Sequence, residues 1–395
     1  MQTAAIRKEN TIEQTLDGFN VGFSNVEDML AFHRRQDAES TWIRLPVNQV
    51  RMKALPDAPL LAMQVRGEEK IDAPLETLTD TIEGSGLLVG DGLGHAYCVR
   101  DTALKTILER ASVSGAALSR LSRENLATVL NLCLQTGRGD ALMLYRDGKV
   151  GAIHGGDEKD YSILPISELL SAFVEKNDSR FPGSVFDGGY TDPSVTTAEW
   201  SMPFQAAEIL KAYNDALQTH GRQPSNGMTP EIRFTTSDVG ISSATITASI
   251  RDSRDTPIPI GSVLVLRHQH GADVDAFRDN LDEAFAKFAD IPKLLADLLD
   301  IQLKYPKNAM TLAMKRLALP KKVSFKAIDL FDSRNGEAAA TAYDVYYAMA
   351  EILPMLRSTG EGPSKVVTAE EILARALHFG KKGWDAFDLP GDVQW

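Results

Sequence analysis

Between positions 301 and 328 the chain carries Lys304, Lys307, Lys315, Arg316, Lys321, Lys322 and Lys326, and no Asp or Glu. The local charge is +7, which leaves −19 on the rest of a chain whose net charge is −12. Cations concentrated on an anionic chain point to phosphate contact, because neutralising phosphates dominates nucleic-acid affinity. Tyr305 and Phe325 are interleaved with them, and aromatic rings stack on unpaired bases. The competing reading is a solvated helix face whose lysines meet acidic neighbours elsewhere in the fold. The spacing of Met310, Ala313, Met314 and Leu317 predicts a helix over 307–319, with these four inward and Lys315 outward beside Thr311 and Arg316. Pro320 ends that helix, so Lys321, Lys322 and Lys326 are expected on a following turn and strand. The cations then make one site only if the fold brings the two parts together.

Other candidate chemistry is weaker. His268-Gln269-His270 is the one close histidine pair in the sequence. On a strand, positions i and i+2 share a face, as two metal ligands need. No third ligand follows by spacing, so a strand end with two half-exposed histidines is the expectation. Gly90-Asp91-Gly92-Leu93-Gly94 is spaced GxGxG rather than GxGxxG, and no Lys-Ser or Lys-Thr follows. It predicts a tight turn and not a nucleotide loop. Asp329, Asp332 and Glu337 surround Asn335-Gly336, but the glycine sits wrongly for a calcium loop; a turn and a helix start are expected. Arg138-Gly139-Asp140 reads as a turn before a strand. Serine, cysteine and histidine form no nucleophile-elbow or dyad signature. No catalytic residue, metal or other cofactor is assigned, and an enzyme is the least favoured reading.

Composition narrows the class. A hydrophobic content of 43% and a charged content of 24% over 395 residues are those of an ordinary globular protein. Cys98 and Cys133 form no disulfide framework and no CxxC pair, which suits a reducing compartment. The first fourteen residues contain no apolar core of a signal peptide, and no apolar run approaches a membrane span. A cytoplasmic protein is expected. The net negative charge argues against general polyanion binding and leaves a local basic site open.

The elements that must position these residues read as α+β: antiparallel sheets covered by helices, with a helical C-terminal third. Residues 1–85 form a mixed opening section, with a helix over 25–35 and strands over 42–52 and 60–65. Residues 86–190 form a unit with helices capped by Asp101 and Ser122. Its hairpin over 140–153 turns at Asp147-Gly148, a strong hairpin signal between apolar runs. Residues 177–197 read as a loop or linker, rich in Gly and Pro. Residues 191–395 open with a helix over 204–219. Strands over 231–236, 241–250 and 258–268 and an amphipathic helix over 274–288 then give a β-β-β-α core. Helices over 294–303, 307–319, 336–353 and 368–379 follow, the last starting with a capping box of Thr368 and Glu371. The last two of these three sections can form one continuous domain.

The segment DALMLYRDGKVGAIHGGDEKDYSILPISELLSAFVEK resembles the uncharacterised phage/plasmid-like protein family. The matching features are Arg146 and Gly148 of the hairpin, Tyr161, and the helix over 166–174. The runs HAYCVRDTALKTILERASVSGAALSRLSRENLATVLN, IRFTTSDVGISSATI and TAYDVYYAMAEIL are similar in layout, so the resemblance covers about residue 86 onward. It implies a gene of a phage, plasmid or integrated element in a bacterial host, and carries over no catalytic residue. The β-β-β-α order also looks like the core of single-strand annealing recombinases, a likeness of fold.

These observations favour a nucleic-acid-binding protein of a mobile element that binds or anneals single-stranded DNA in recombination or replication, self-associates and needs no cofactor. The alternative is a non-enzymatic protein-interaction role, as a virion-associated or host-factor-inhibiting protein whose acidic remainder meets a basic partner.

Overall fold

Alternation along the strands builds the largest sheet among the described residues. The computed structural model describes residues 11–15, 18–56, 67, 71, 73–157, 159–223, 227–252, 257–288, 291–359 and 363–395. Seven antiparallel strands run in the order β1 (Thr11–Thr15), β2 (Gly18–Phe23), β9 (Val185–Thr191), β10 (Thr196–Ser201), β11 (Thr229–Thr236), β12 (Ala244–Arg251) and β13 (Pro257–Leu266). In register, Ala198 meets Phe234, which meets Ile246; Trp200 meets Ile232, which meets Ala248. That face packs on α5 (Ile166–Arg180) and α8 (Val274–Lys287), with Phe234 between Phe173 at 5.8 Å and Phe277 at 6.2 Å. The opposite face alternates polar: Thr197 meets Thr235, and Glu199 meets Arg233, which meets Thr247. α1 (Val26–Glu39) covers β9, while α6 (Ala206–Ile209) and α7 (Lys211–Thr219) bridge β10 and β11.

The second, six-stranded sheet has the order β3 (Thr41–Pro46), β7 (Asp140–Arg146), β8 (Lys149–Gly155), β6 (Ala96–Val99), β5 (Leu87–Gly90) and β4 (Arg51–Ala54). Its β6–β8 pair is parallel and the others are antiparallel. One face packs on α3 (Asp101–Arg110) and α4 (Arg123–Leu134), and α2 (Leu75–Glu83) covers the other side near β6. The hairpin turns where expected. Asp147 and Gly148 both take positive φ, 52° and 76°, as a twist-matched two-residue turn requires.

The C-terminal region is helical: α9 (Ile291–Ala296), α10 (Pro306–Arg316), α11 (Lys321–Asn335), α12 (Ala342–Ala350), α13 (Ile352–Ser358), α14 (Pro363–Ala374) and α15 (Gly380–Phe387). A two-strand ladder, β14 (Gln302–Leu303) and β15 (Ala340–Thr341), ties its start to α12. The α+β class, the β11-β12-β13-α8 succession and the helical final third are all present.

Several local expectations differ from the structure. The stretch 177–197 is not a loop or linker. α5 runs on to Arg180, and β9 lies between β2 and β10 within the larger sheet. Its Gly188-Gly189 pair reads as loop, but a Cβ on Gly189 would collide with the Met29 sulfur of α1. The glycine marks a close approach inside a strand. The run 42–52 is interrupted by a 3₁₀ turn at Val47–Gln49; the expected strand at 60–65 lies outside the described residues. Lys321, Lys322 and Lys326 lie on helix α11, not on a turn and strand. Pro320 precedes the first helical residue, and proline there costs a new helix nothing. Thr368 lies inside α14; the capping box belongs to Thr341 and Asp344 at the start of α12. Residues 1–85 supply strands to both sheets.

Candidate nucleic-acid interface

The basic stretch folds into two helices and a tight turn. Along α10, Ala309, Met310, Ala313 and Met314 are fully buried and Leu317 is half-buried, so Lys315 and Arg316 face outward. The helix stops through paired backbone bonds. Ala318 N–H donates to the Lys315 carbonyl at 3.0 Å and Leu319 N–H to the Met314 carbonyl at 3.2 Å. This is a Schellman arrangement, with Ala318 in the left-handed position at φ 56°. Leu319 is buried, and α11 starts two residues later. α10 and α11 run back to back, because Lys307 near the start of one pairs with Asp332 near the end of the other at 2.7 Å. The pair is therefore an antiparallel hairpin of helices.

This hairpin sorts the expected residues into two groups. Lys315, Arg316, Lys321 and Lys322 flank the turn, and Lys326 lies one helical turn further along α11. All five are exposed. Among the described residues, Arg316, Lys321, Lys322 and Lys326 make no ion pair. Phe325 lies one turn from Lys321, whose Nζ is 5.5 Å from the Phe325 ring centroid. The Trp395 ring is 5.3 Å from the Phe325 ring, and Phe325 remains 40% exposed. Lys304, Tyr305 and Lys307 are at the other end of the eleven-residue α10, about 15 Å away at 1.5 Å per residue. Lys307 is neutralised by Asp332, and the backbone N–H groups of Lys304 and Tyr305 donate to Asp388 at 2.9 and 2.6 Å. So five cations and Phe325 share one elbow; Lys304, Lys307 and Tyr305 do not join it.

The elbow is electrostatically unusual. Lys315 and Arg316 sit at a helix C-terminus, where the dipole favours cations. Lys321 and Lys322 sit in the first turn of α11, where it disfavours them. No acidic residue lies in that first turn. A bound anion would relieve both the repulsion and the unpaired N–H groups of the helix start.

Two further sites carry no motif in the sequence. At the junction of the sheets a cavity of about 400 Å³ is lined by Arg110, His154, Tyr161, Ser243, Arg267 and His268, among others. His154 and Tyr161 stack at 3.6 Å, and His268 continues the stack 5.5 Å from Tyr161. His154 Nε2 lies 2.9 Å from the Asp238 carbonyl, and the Tyr161 hydroxyl donates to the same carbonyl at 3.0 Å. Arg146 binds the Asp238 carboxylate. Burial opposes ionisation of Asp238, but Arg146 outweighs it and holds the carboxyl below its ordinary value. Burial pushes His154 and His268 each down to about 4, so both are neutral near pH 7. The expected histidine pair is thereby split. β13 ends at Leu266, His268 turns inward, and His270 is exposed at φ 60°, so the two share no strand face. Among the described residues no cluster of three or more His, Cys, Asp or Glu side chains is placed to hold a metal. The Gly90–Gly94 run is a turn in which Asp91 accepts from Leu93 N–H at 2.7 Å and His95 N–H at 3.2 Å.

The second site is a charge ladder on the polar face of the larger sheet. Arg233 reaches Glu199 at 3.1 Å and binds Glu370 of α14, which Arg357 of α13 approaches at 3.3 Å. Arg251 binds Glu231 and reaches Asp187 at 3.4 Å. Burial pushes the Glu231 carboxyl up to about 7 despite Arg251. An adjoining cleft of about 360 Å³ is lined in part by Asp187, Glu199, Arg233 and Arg357. These charges are committed to one another, so the ladder fastens α13 and α14 to the sheet. Its trace in the sequence is the polar phase of the alternation in TTAEWS and TPEIRFTT, legible only once the strands are in register.

Among the described residues no helix is long and apolar enough to cross a membrane. No protein-family model, curated protein or solved structure matches the chain.

Proposed function

We propose that this chain is a single-stranded nucleic-acid-binding protein of a phage, plasmid or integrated element, working in the cytoplasm of a bacterial host to anneal or protect strands, as a self-associating assembly. One observation carries the reading. Five exposed cations gather at the α10–α11 elbow beside an aromatic pair, on a chain of net charge −12. None of the five makes an ion pair among the described residues, unlike Lys307. Phosphates would meet Lys315, Arg316, Lys321, Lys322 and Lys326, while an unpaired base stacks at Phe325. The exposed ring favours single strands, because bases inside a duplex present no open face. The chemistry asks for no metal and no nucleotide. No catalytic step is assigned.

The test is fluorescence anisotropy of a labelled single-stranded oligonucleotide at two salt concentrations. Binding is expected at low salt, weakened at high salt, and abolished when Lys315, Arg316, Lys321 and Lys322 are all changed to Glu. No binding at low salt, or binding indifferent to that variant, overturns the reading.

A further inference from the structure

The elbow is not bare. After α15 the chain turns back along α10, and residues 388–395, DLPGDVQW, lie against it. The Asp388 carboxylate accepts from the N–H groups of Lys304 and Tyr305, at 2.9 and 2.6 Å, and so holds the start of the segment at the start of the helix. Asn308 Nδ2 donates to the carbonyls of Leu389 and Gly391 at 2.7 and 2.6 Å. Lys315 Nζ donates to the Gln394 carbonyl at 3.0 Å. The Trp395 ring rests 5.3 Å from Phe325 and is half-buried there. The segment thus follows α10 from one end to the other and crosses onto α11. It carries Asp388 and Asp392 and no Lys or Arg, so its charge opposes that of its seat.

We propose that residues 388–395 compete with nucleic acid for the elbow. The segment offers what a single strand offers: negative charge, backbone oxygens for lysine, and a flat ring for Phe325. The Trp395 ring packs against Phe325 at 5.3 Å, tilted by 51°, and crowds the space that a base stacking there would need, and Gln394 takes one of the five cations. The hold is divided. Asp388 and Asn308 anchor the first half through four hydrogen bonds. The second half is held by one lysine bond and one ring contact. The second half, with its fewer contacts, therefore gives way before the first, and the anchored half keeps the displaced ring near its seat. Lys315 and Phe325 are then both free for nucleic acid only in the fraction of molecules whose segment is displaced, and the part of the affinity that they supply is lowered accordingly.

This inference rests on the elbow being the nucleic-acid site, and the experiment separates the two. Binding of a labelled oligothymidylate is measured at low salt for the full chain, for a chain ending after Leu389, for Trp395→Ala in the full chain, and for the fourfold charge reversal in both lengths. Thermal melting of each variant checks that it folds; Trp395→Ala serves should the shortened chain fail to. The shortened chain is expected to bind at least about fivefold more tightly, with Trp395→Ala in between and the charge reversal abolishing binding in both. Unchanged or weaker binding by the shortened chain and Trp395→Ala, with charge reversal still abolishing binding, overturns the competition and leaves the elbow as the binding site. No binding by any form removes the elbow reading and the competition with it.

Discussion

His33, His154 and His268 are all buried, and burial pushes them down to about 3, 4 and 4 from an ordinary value of 6.5. In the unfolded chain they protonate near pH 6.5; in the folded chain they stay neutral until well below that. The unfolded state therefore binds more protons between about pH 4 and 6.5, and stability falls as pH falls through this window. Each histidine contributes a slope of up to about 1.4 kcal/mol per pH unit. Glu231 works in the other direction, since burial lifts its carboxyl from 4.5 to about 7. The folded state holds that proton over the intervening range, so this group favours folding as pH falls from 7 to 4.5. Three histidines outweigh one carboxyl. Urea unfolding at pH 6.5, 5.5 and 4.5 is expected to show falling stability, with a steeper fall in Glu231→Gln. Constant or rising stability toward pH 4.5 contradicts the assignment.

At the scale of elements the elbow carries two departures from the best helix chemistry. Ala318 holds the left-handed position that glycine usually fills, at a cost of roughly 1–2 kcal/mol for a residue with a Cβ. Ala318→Gly relieves that strain but adds backbone entropy to the unfolded chain. A net gain of about 0.5–1 kcal/mol in chemical denaturation is expected, with nucleic-acid binding unchanged. Lys321 is the second departure, a cation at the positive end of α11. Lys321→Glu is expected to raise stability by about 0.3–1 kcal/mol while weakening oligonucleotide binding. A drop in both quantities would mean that Lys321 serves the fold through its contact with Phe325 rather than the interface.

Over the whole molecule, charge is divided: +7 in residues 301–328 and −19 elsewhere. The remainder is net acidic and disfavours a polyanion overall, so binding at the elbow is expected to be strongly salt-dependent. Five phosphate contacts give a slope of log affinity against log salt of about −3.5 for a single strand. A salt titration of the anisotropy signal measures it. A slope near −1 would mean that only one cation meets phosphate. The two sheets are fastened at Asp238, which follows β11 of the larger sheet. It takes Arg146 of β7, His154 of β8, and Tyr161 between β8 and α5. The hairpin, the loop after it and the end of β11 therefore meet at one buried residue.

The sequence by itself determined what depends on neighbours along the chain. The Asp147-Gly148 turn, the inward face of α10, the β-β-β-α succession and the concentration of cations are local patterns of period, turn chemistry and charge. They are set by side-chain spacing over a few residues. Only the tertiary structure decided what depends on distant partners. Pro320 reads as a helix stop, but α10 has already ended by Ala318 and Pro320 opens α11; that outcome rests on whether an apolar face such as Val323, Ala327 and Ile328 finds a core to enter. Gly188-Gly189 reads as loop until Met29 arrives from α1. Glu199 and Arg233 are 34 positions apart and become partners through strand register. The covering of the elbow by Trp395 joins residues 70 positions apart. Local sequence therefore determined that the cations exist and that Lys315 faces outward on α10; that Lys321, Lys322 and Lys326 lie on a helix was decided by packing. Packing decided that five stand together, that Lys307 is neutralised, and that an aromatic residue from far along the chain lies against Phe325.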